Sequence, residues 1–285
     1  GENPAMSDPD AGHARKGLAK LEHLVVQDIF MTETAAFADV VLPASSFLEK
    51  AGTITNTNRQ VQIGRPVLDL PGDARQDWWI IQEIANRLGL GWDYGHPKDV
   101  YGEMRQTMKS LNGIPWERLE REDSVTYPCD GDDQPGHDII FGDGFPTESG
   151  RAKLVPAQLT PPDELPDDDY PLVLTTGRLL EHWHTGAMSR RAANLNALEP
   201  VAVASFHPRQ MADLGLTAGD RVRVESRRGT IEIAARADTD VPEGMVFIPF
   251  CFNEAAANLL TNPQLDPYGK IPEFKFCAVK VEGAG

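Results

Sequence analysis

The sequence predicts an α/β region followed by a mostly-β region. In the first part of the 285-residue chain, helical spacing alternates with short apolar strands, which is typical of a mostly parallel sheet. In the last part, short β-branched runs are separated by turn residues, which favours a closed or nearly closed β-barrel. Between the two lies PPDELPDDD at residues 161–169, whose three prolines and five acids have the composition of a linker.

The elements of the first region follow from local spacing. Residues 13–23 are predicted to be helical because Ala14, Leu18 and Leu21 recur at helical intervals. Residues 49–62 are rich in glycine, threonine and asparagine, and this composition predicts an irregular loop. The other elements predicted here are a strand at residues 24–27, a short helix at 32–37 and a buried strand at 39–44.

The clearest helical pattern begins at Asp77, which is placed as a candidate N-cap, and ends at Gly89. Its apolar positions follow at i, i+3, i+4 and i+7: Ile81, Ile84, Ala85 and Leu88. Residues 119–143 show no regular spacing of apolar residues and are predicted to form an acidic loop.

The barrel strands alternate in polarity and are bounded by turn residues. They are predicted at residues 171–176, 201–205, 220–226, 229–237, 244–250 and 276–282, with one helix at 208–214.

Composition excludes several classes of protein. A formal net charge of −16 argues against a nucleic-acid partner, because binding to phosphate backbones needs a basic face. No apolar run is long enough for a membrane span, and the charged first thirty residues do not resemble a signal peptide, so we expect a cytoplasmic protein without membrane insertion. The opening GENP and the lack of an earlier strand suggest the C-terminal part of a longer chain.

Catalytic and metal-binding motifs are missing from the sequence. The three cysteines, Cys129, Cys251 and Cys277, form no CxxC pair, so they predict neither a disulfide framework nor a metal ligand set. The motifs GxSxG, GxxxxGK[ST], GxGxxG and HExxH are also absent. We therefore nominate no catalytic residue and no metal ligand.

The most informative stretch is TTGRLLEHWHTGAMSRR at residues 175–191. Its glycines allow a close backbone approach, Arg178 and Arg190 offer charge-assisted donors, and Trp183 can lie against a ring system. This mixture predicts a turn that receives a large anionic ligand.

Five motifs in order carry a family resemblance. They are GENPAMSDP, LVVQDIFMTETAAFADVVLPA, FLEKAGTITNTNRQVQ, TTGRLLEHWHTGAMSRR and EAAANLLTNPQLDPYGKIPEFKFCAVKVE. From end to end the chain resembles the C-terminal part of the large subunit of molybdenum or tungsten formate dehydrogenases, within the molybdopterin oxidoreductase superfamily. It is most similar to the soluble NAD-dependent type. EHWHTG also occurs in periplasmic-type nitrate reductases. The motifs therefore identify the superfamily more specifically than they identify formate as the substrate.

The resemblance implies a fold and a cofactor. Residues 1–165 would be the C-terminal part of the molybdopterin oxidoreductase α/β domain, and residues 170–285 a double-psi β-barrel that binds the dinucleotide. The cofactor would be bis(molybdopterin guanine dinucleotide) with molybdenum or tungsten. Iron–sulfur clusters, FMN and NAD would belong to the preceding part of the subunit or to partner subunits.

The resemblance also implies the contacts to this cofactor. Those of the α/β domain are Asn3, Gln27, Asp28, Lys50 and Asp77. Those of the barrel are Thr176, Gly177, Arg178, Leu179, Leu180, Glu181, His182, Trp183, His184, Thr185, Gly186, Phe250, Asn258 and Lys275. A carboxylate such as Asp28 or Asp77 suits guanine, since it can accept from N1 and the exocyclic amine together.

Each assignment has an alternative. Asp77 could serve only as a helix cap, Asp28 could lie in a solvated turn, and Lys50 and Lys275 would ordinarily be surface lysines. His182 and His184 form an HxH pair, and in an extended segment both rings would lie on one side as in metal sites. No further acid and histidine follow at matching spacing, so donation to pterin or phosphate is favoured over metal binding.

The predicted function is cofactor binding within a formate dehydrogenase that oxidises formate to CO2. Two electrons would pass from the metal through flavin and iron–sulfur subunits to NAD. In the family the metal's cysteine or selenocysteine ligand, a histidine and an arginine all lie before the point where this chain begins. Alternatives are a nitrate reductase or another oxidoreductase of the superfamily, or a non-catalytic protein that carries the dinucleotide during assembly.

Overall fold

The computed structural model describes residues 1–284. The helices are α1 Pro4–Ser7, α2 Ala11–Leu18, α3 Asp77–Arg87, α4 Pro97–Thr107, α5 Trp116–Glu122, α6 Ala193–Leu198 and α7 Pro208–Asp213. The strands are β1 Val25–Asp28, β2 Val40–Pro43, β3 Gly52–Thr55, β4 Gln60–Gly64, β5 Ser124–Thr126, β6 Leu172–Gly177, β7 Val203–Phe206, β8 Arg221–Glu225, β9 Thr230–Ala237, β10 Met245–Pro249 and β11 Cys277–Gly283.

The chain divides into two compact units. The first unit combines residues 1–26, 30–41 and the chain from Leu159 onward, and the second combines residues 27–29 and 42–158. Strands β1 and β2 form a two-stranded sheet. The domain division at residues 165 and 170 stays a prediction.

The first unit contains a closed barrel with strand order β10, β6, β11, β8, β9, β7. Strand β10 runs parallel to β6, and β7 runs parallel to β9, whereas the other neighbours are antiparallel. Side-chain alternation gives the barrel its apolar interior: in β8, Val222 and Val224 are fully buried and alternate with the exposed Arg221 and Arg223. The predicted α/β region followed by a β-barrel is confirmed.

Two barrel connections leave the sheet side by side. Strands β6 and β10 are parallel neighbours whose last residues, Gly177 and Pro249, lie opposite one another. The segments 178–191 and 250–259 that follow them therefore begin at the same end of the barrel. Helix α1 belongs to the same unit, and Asn258 holds it by donating to the carbonyl oxygens of Met6 and Ser7 at 2.9 and 3.0 Å.

The second unit contains an antiparallel sheet, β3-β4-β5, which the sequence pattern does not predict. Helices α4 and α5 share its apolar core. The buried members of this core are Val61, Tyr101, Leu111, Ile114, Trp116, Leu119, Val125 and Cys129.

The irregular loop predicted at residues 49–62 is wrong, because this stretch forms the β3-β4 hairpin. The tight turn explains it: Arg59 takes a left-handed φ of 66°, and the Asn56 side chain accepts from the Gln60 amide at 2.9 Å. Short threonine- and glutamine-rich strands have weak apolar alternation, so the turn residues dominated the pattern.

Other local predictions need correction. Asp77 is the first helical residue rather than the N-cap, a position that Gln76 occupies without a side-chain cap bond. The apolar face predicted for α3 is largely exposed, since Ile81, Ile84 and Leu88 are accessible while Ile80 is buried. The helix at residues 13–23 is α2, which ends at Leu18, and the helix at 32–37 is only a 3-10 turn, Ala35–Phe37. Strand β2 is partly exposed and not buried. Residues 119–143 are not loop throughout, because they contain the end of α5 and strand β5.

Across residues 1–284, no helix combines the length and the apolar character that crossing a bilayer would require.

Candidate functional site

A cavity of about 380 Å³ lies in the first unit, beside the ends of β6 and β10. It is lined by Ser7, Thr176, Arg178, His184, Phe250, Asn258, Phe274 and Lys275. Two cations and no carboxylate are found among these lining residues, although the chain as a whole carries a net charge of −16. The cavity is therefore suited to an anionic group.

Of the two cations, Lys275 has the side chain whose position is more tightly fixed. Its ammonium group donates to the backbone oxygen of Thr176 and lies 5.7 Å from the centre of the Phe250 ring. Burial, and secondarily the nearby Arg178 guanidinium, lower the pKa of Lys275. A bound anion would relieve both effects, because it would compensate the poorly solvated positive charge.

Asn258 lines the same cavity and has a side-chain oxygen without a hydrogen-bond partner in the described chain. The residue is 3% exposed, and its amide nitrogen is used by the helix α1 carbonyls. Its Oδ1 is buried without a hydrogen-bond partner in the described chain. An unmet buried acceptor costs about 1 to 3 kcal/mol, so this oxygen suits an N–H donor of a ligand.

The segment 178–191 is held against the segment 250–259. Gly186 has a φ of +76°, and a Cβ placed there would lie 2.7 Å from the Cys251 carbonyl oxygen. Arg190 pairs with both carboxylate oxygens of Glu254 at 2.7 and 2.9 Å and stacks over Phe252 at 4.6 Å. Only glycine meets both the backbone and the space requirement at position 186.

His182 and His184 lie in a turn and have different surroundings. His182 is 1% exposed, and its Nε2 lies 2.7 Å from the Glu199 carbonyl oxygen. His184 has a φ of 52° and lines the cavity with its ring edge-on to Phe250. The idea of an extended segment with both rings on one side is therefore wrong. Within residues 1–284, no group of three or more histidine, cysteine, aspartate or glutamate side chains is arranged to hold a metal ion.

A second polar cluster lies in the second unit. Asp77 accepts from Gln27 at 2.7 Å through Oδ1 and from the Lys50 ammonium group through Oδ2. Burial opposes its ionisation, but the hydrogen bonds from Lys50 and Gln27 outweigh burial and lower the pKa of Asp77. Asp28 is buried and accepts from the Ile29 amide at 2.7 Å. The cluster therefore holds Asp77 as a carboxylate.

The structure brings six of the predicted contacts together at the cavity: Thr176, Arg178, His184, Phe250, Asn258 and Lys275. Gly177 and Gly186 shape the backbone beside them. Leu179, Leu180, Glu181, His182, Trp183 and Thr185 do not line the cavity, and Leu180 is 98% exposed. Asn3 belongs to the first unit, where it donates to Glu33 and accepts from Thr34.

Sequence reasoning missed two lining residues, Ser7 and Phe274. Ser7 lies within the GENPAMSDP motif, and Phe274 precedes Lys275, so both were next to recognised signals. Neither residue type by itself predicts ligand contact.

The three cysteines are buried and free. Burial is the main cause that raises the pKa of Cys251 to about 12 and that of Cys277 to about 11. Because the thiolate is the reactive form, we expect a maleimide to label no cysteine in the native protein and all three after denaturation. Mass spectrometry would check this, and fast native labelling at Cys251 or Cys277 would contradict it.

A closed barrel with a cationic cavity at the ends of two parallel strands defines a ligand-holding domain. Residues 172–278 match the family described as molydopterin dinucleotide binding domain, and residues 1–87 match the family described as molybdopterin oxidoreductase. The chain therefore contains a molybdopterin oxidoreductase region at residues 1–87 and a molydopterin dinucleotide binding domain at residues 172–278.

Similar proteins agree with this assignment. The F420-dependent formate dehydrogenase subunit alpha of Methanocaldococcus jannaschii is 46% identical over 99% of this chain. The assimilatory nitrate reductase catalytic subunit of Bacillus subtilis is 36% identical over 98% of it. The chain spans 42% and 41% of the lengths of these two relatives. Acetylene hydratase from Pelobacter acetylenicus shares the fold, with a TM-score of 0.77 at 24% identity over 99% of this chain and 43% of that one.

The lining residues fit the cofactor of this family. Arg178 and Lys275 suit the diphosphate of a dinucleotide, and the unpartnered Asn258 oxygen suits an N–H of a pterin or guanine ring. The prediction of a molybdopterin dinucleotide cofactor, bis(molybdopterin guanine dinucleotide) with molybdenum or tungsten, is confirmed at the level of the family.

Proposed function

We propose that this chain is the cofactor-holding part of a formate dehydrogenase large subunit, and that the whole enzyme oxidises formate to CO2. The observation that carries the proposal is the acid-free cavity with Arg178, Lys275 and the unpartnered Asn258 oxygen. The substrate is inferred from the formate dehydrogenase relative at 46% identity.

The residues of the chain would bind and orient the cofactor. Arg178 and Lys275 would hold phosphate oxygens, and Asn258 would accept from a ring N–H. Asp77 and Asp28 remain our candidates for guanine, since a carboxylate accepts from two adjacent donors. When bound, the cofactor supplies a metal centre that exchanges two electrons, and the protein contributes binding and electrostatics.

The other predicted contacts also stay part of the proposal. The exposed tip of the segment, with Leu180 and Trp183, and the buried His182 would flank the ligand through backbone and ring surfaces. We nominate no catalytic residue in this chain.

We propose that the electrons reach NAD through flavin and iron–sulfur subunits in the cytoplasm. F420 is a second candidate acceptor, because the M. jannaschii relative is F420-dependent. Assaying the purified complex with formate and each acceptor in turn tests the choice. If the complex reduces F420 and not NAD, F420 is the acceptor and the proposal of NAD is wrong.

Nitrate is the alternative substrate, since the B. subtilis nitrate reductase subunit is 36% identical. The same complex should oxidise formate and fail to reduce nitrate with a viologen donor. Nitrate reduction without formate oxidation would overturn the proposed substrate. Bound dinucleotide without either activity would instead favour a non-catalytic carrier.

The pH dependence of cofactor retention provides a prediction. Lys275 has a lowered pKa, so as pH rises it loses its positive charge before an exposed lysine does. We therefore expect the wild-type protein to bind the dinucleotide less tightly, and to release more of it at equilibrium, as the pH rises from neutral to alkaline. In Lys275→Arg the profile should be flatter, because arginine stays charged. Release is measured by filtration and quantification of guanosine monophosphate, and identical profiles would contradict the role of Lys275.

A further inference from the structure

The acidic segment 161–169 is anchored to the barrel at Glu164. The side chains of Glu164 and Arg228 are only 13% and 11% exposed. Arg228 binds both carboxylate oxygens, with Nη2 at 2.9 Å from Oε1 and Nη1 on Oε2. The same guanidinium donates to the Leu260 carbonyl oxygen at 3.0 and 2.8 Å. A bidentate pair of this kind fixes the carboxylate in one orientation.

Glu164 also replaces a missing strand neighbour. Strand β11 pairs with β6 at residues 277–279 and with β8 only from residue 280 onward. At Ala278, which is fully buried, the second edge of β11 therefore has no strand partner. Glu164 Oε1 accepts the Ala278 amide at 2.8 Å and satisfies this donor.

The residues before β11 line the cavity. Phe274 and Lys275 both line the cavity, and both form hydrogen bonds with Thr176. Thr176 Oγ1 donates to the Phe274 carbonyl oxygen at 3.0 Å, and the Lys275 ammonium group donates to the Thr176 carbonyl oxygen. The position of Lys275 thus depends on how the backbone enters β11.

The acidic segment contacts the chain on both sides of Lys275, at the Glu273 side chain and at the Ala278 backbone. Before it, Glu273 accepts from the Asp163 amide at 3.3 Å. After it, the Ala278 amide is bound to Glu164. Burial opposes ionisation of Glu164, but the Arg228 and Ala278 hydrogen bonds outweigh burial and lower its pKa, so the carboxylate is charged at neutral pH.

We propose that Glu164 is a positioning residue that fixes the entrance to β11 and thereby holds Lys275 in the cavity. The positioning role stands on the contacts of the first unit alone. Only its consequence for the dinucleotide rests on the proposed function.

The test compares Glu164→Gln and Glu164→Ala with the control Asp168→Asn in the native complex. Asp168 lies in the same segment, and its side chain makes no bond to other described residues. Lys275 accessibility is measured by labelling with an amine-reactive reagent, and backbone opening by amide exchange of residues 273–278. Loss of a buried charge-assisted contact should raise both rates about tenfold in Glu164→Ala. The glutamine variant can keep one hydrogen bond and should show a smaller rise.

Unchanged Lys275 labelling in a folded Glu164→Ala or Glu164→Gln protein would overturn the proposal, as would an equal rise in Asp168→Asn. If the alanine variant does not fold, the glutamine variant decides. Bound guanosine monophosphate is quantified in the same samples. A wild type without it would refute the proposed function, whereas the labelling comparison would still decide the role of Glu164.

Discussion

Replacing Lys275 with methionine is expected to cause the largest loss of cofactor among single lining substitutions. The ammonium group is partly buried beside Arg178 and faces a cavity without carboxylates. A hydrogen bond to a charged group contributes about 1.5 to 3 kcal/mol. The affinity for the dinucleotide should therefore fall on the order of tenfold to a hundredfold. Methionine keeps the length of the stem, so packing against Phe250 should be retained.

The matched control is Lys270→Met, which removes the same charge from an exposed lysine nearby. Its ammonium group donates only to the Pro267 carbonyl oxygen, outside the cavity lining. Both variants are compared by the guanosine monophosphate retained per subunit after extensive dialysis. Equal retention in the two variants would show that net charge, and not the position of Lys275, sets the affinity.

Gly186→Ala is expected to disrupt both stability and the site. The new Cβ would lie 2.7 Å from the Cys251 carbonyl oxygen and 2.8 Å from Arg190 Cγ, and φ is +76°. The left-handed backbone alone costs about 1 kcal/mol for alanine. Displacing packed neighbours adds about 1 to 3 kcal/mol. The free energy of unfolding should fall by the sum of these terms, and dinucleotide retention should fall with it.

Gly215→Ala is the control that separates the cost of the left-handed backbone from the cost of displacing packed neighbours. Gly215 has a similar φ of +68°, but nothing lies within 4 Å of its added Cβ. In urea denaturation, the free energy of unfolding of this variant should therefore fall only by the cost of the left-handed backbone, and the variant should retain the cofactor. Equal losses of stability in the two variants would mean that the segment 178–191 does not pack tightly against the segment 250–259.

The barrel could be predicted from sequence because its strands alternate. In β8, and in β9 from Ile231 to Ala235, every second residue is apolar and buried, so the periodicity and the burial coincide. The β3-β4 hairpin was missed because its strands are polar and only partly buried, and turn residues fill the connection. On α3, the helix was predicted but not its buried face, since burial depends on tertiary neighbours and not on the period.

The candidate site was predictable only in part. The 175–191 motif and Lys275 were found through residue type and resemblance, and the cavity collects six of the predicted contacts. The unpartnered oxygen of Asn258 depends on the direction of helix α1. The contact between Glu164 and Ala278 joins residues 114 positions apart and replaces a strand pairing that only the barrel topology defines. Local sequence patterns carry neither kind of information.

The proposed function requires this chain to hold a guanine dinucleotide of molybdopterin at the surface formed by Arg178, Lys275 and Asn258. Acid hydrolysis of the purified complex, with guanosine monophosphate and metal quantified per subunit, tests it most directly. We expect guanosine monophosphate together with molybdenum or tungsten in the wild type, and a marked loss of the nucleotide in Lys275→Met. A correctly folded wild-type complex that releases no guanosine monophosphate, or a Lys275→Met variant that retains all of it, would contradict the claim.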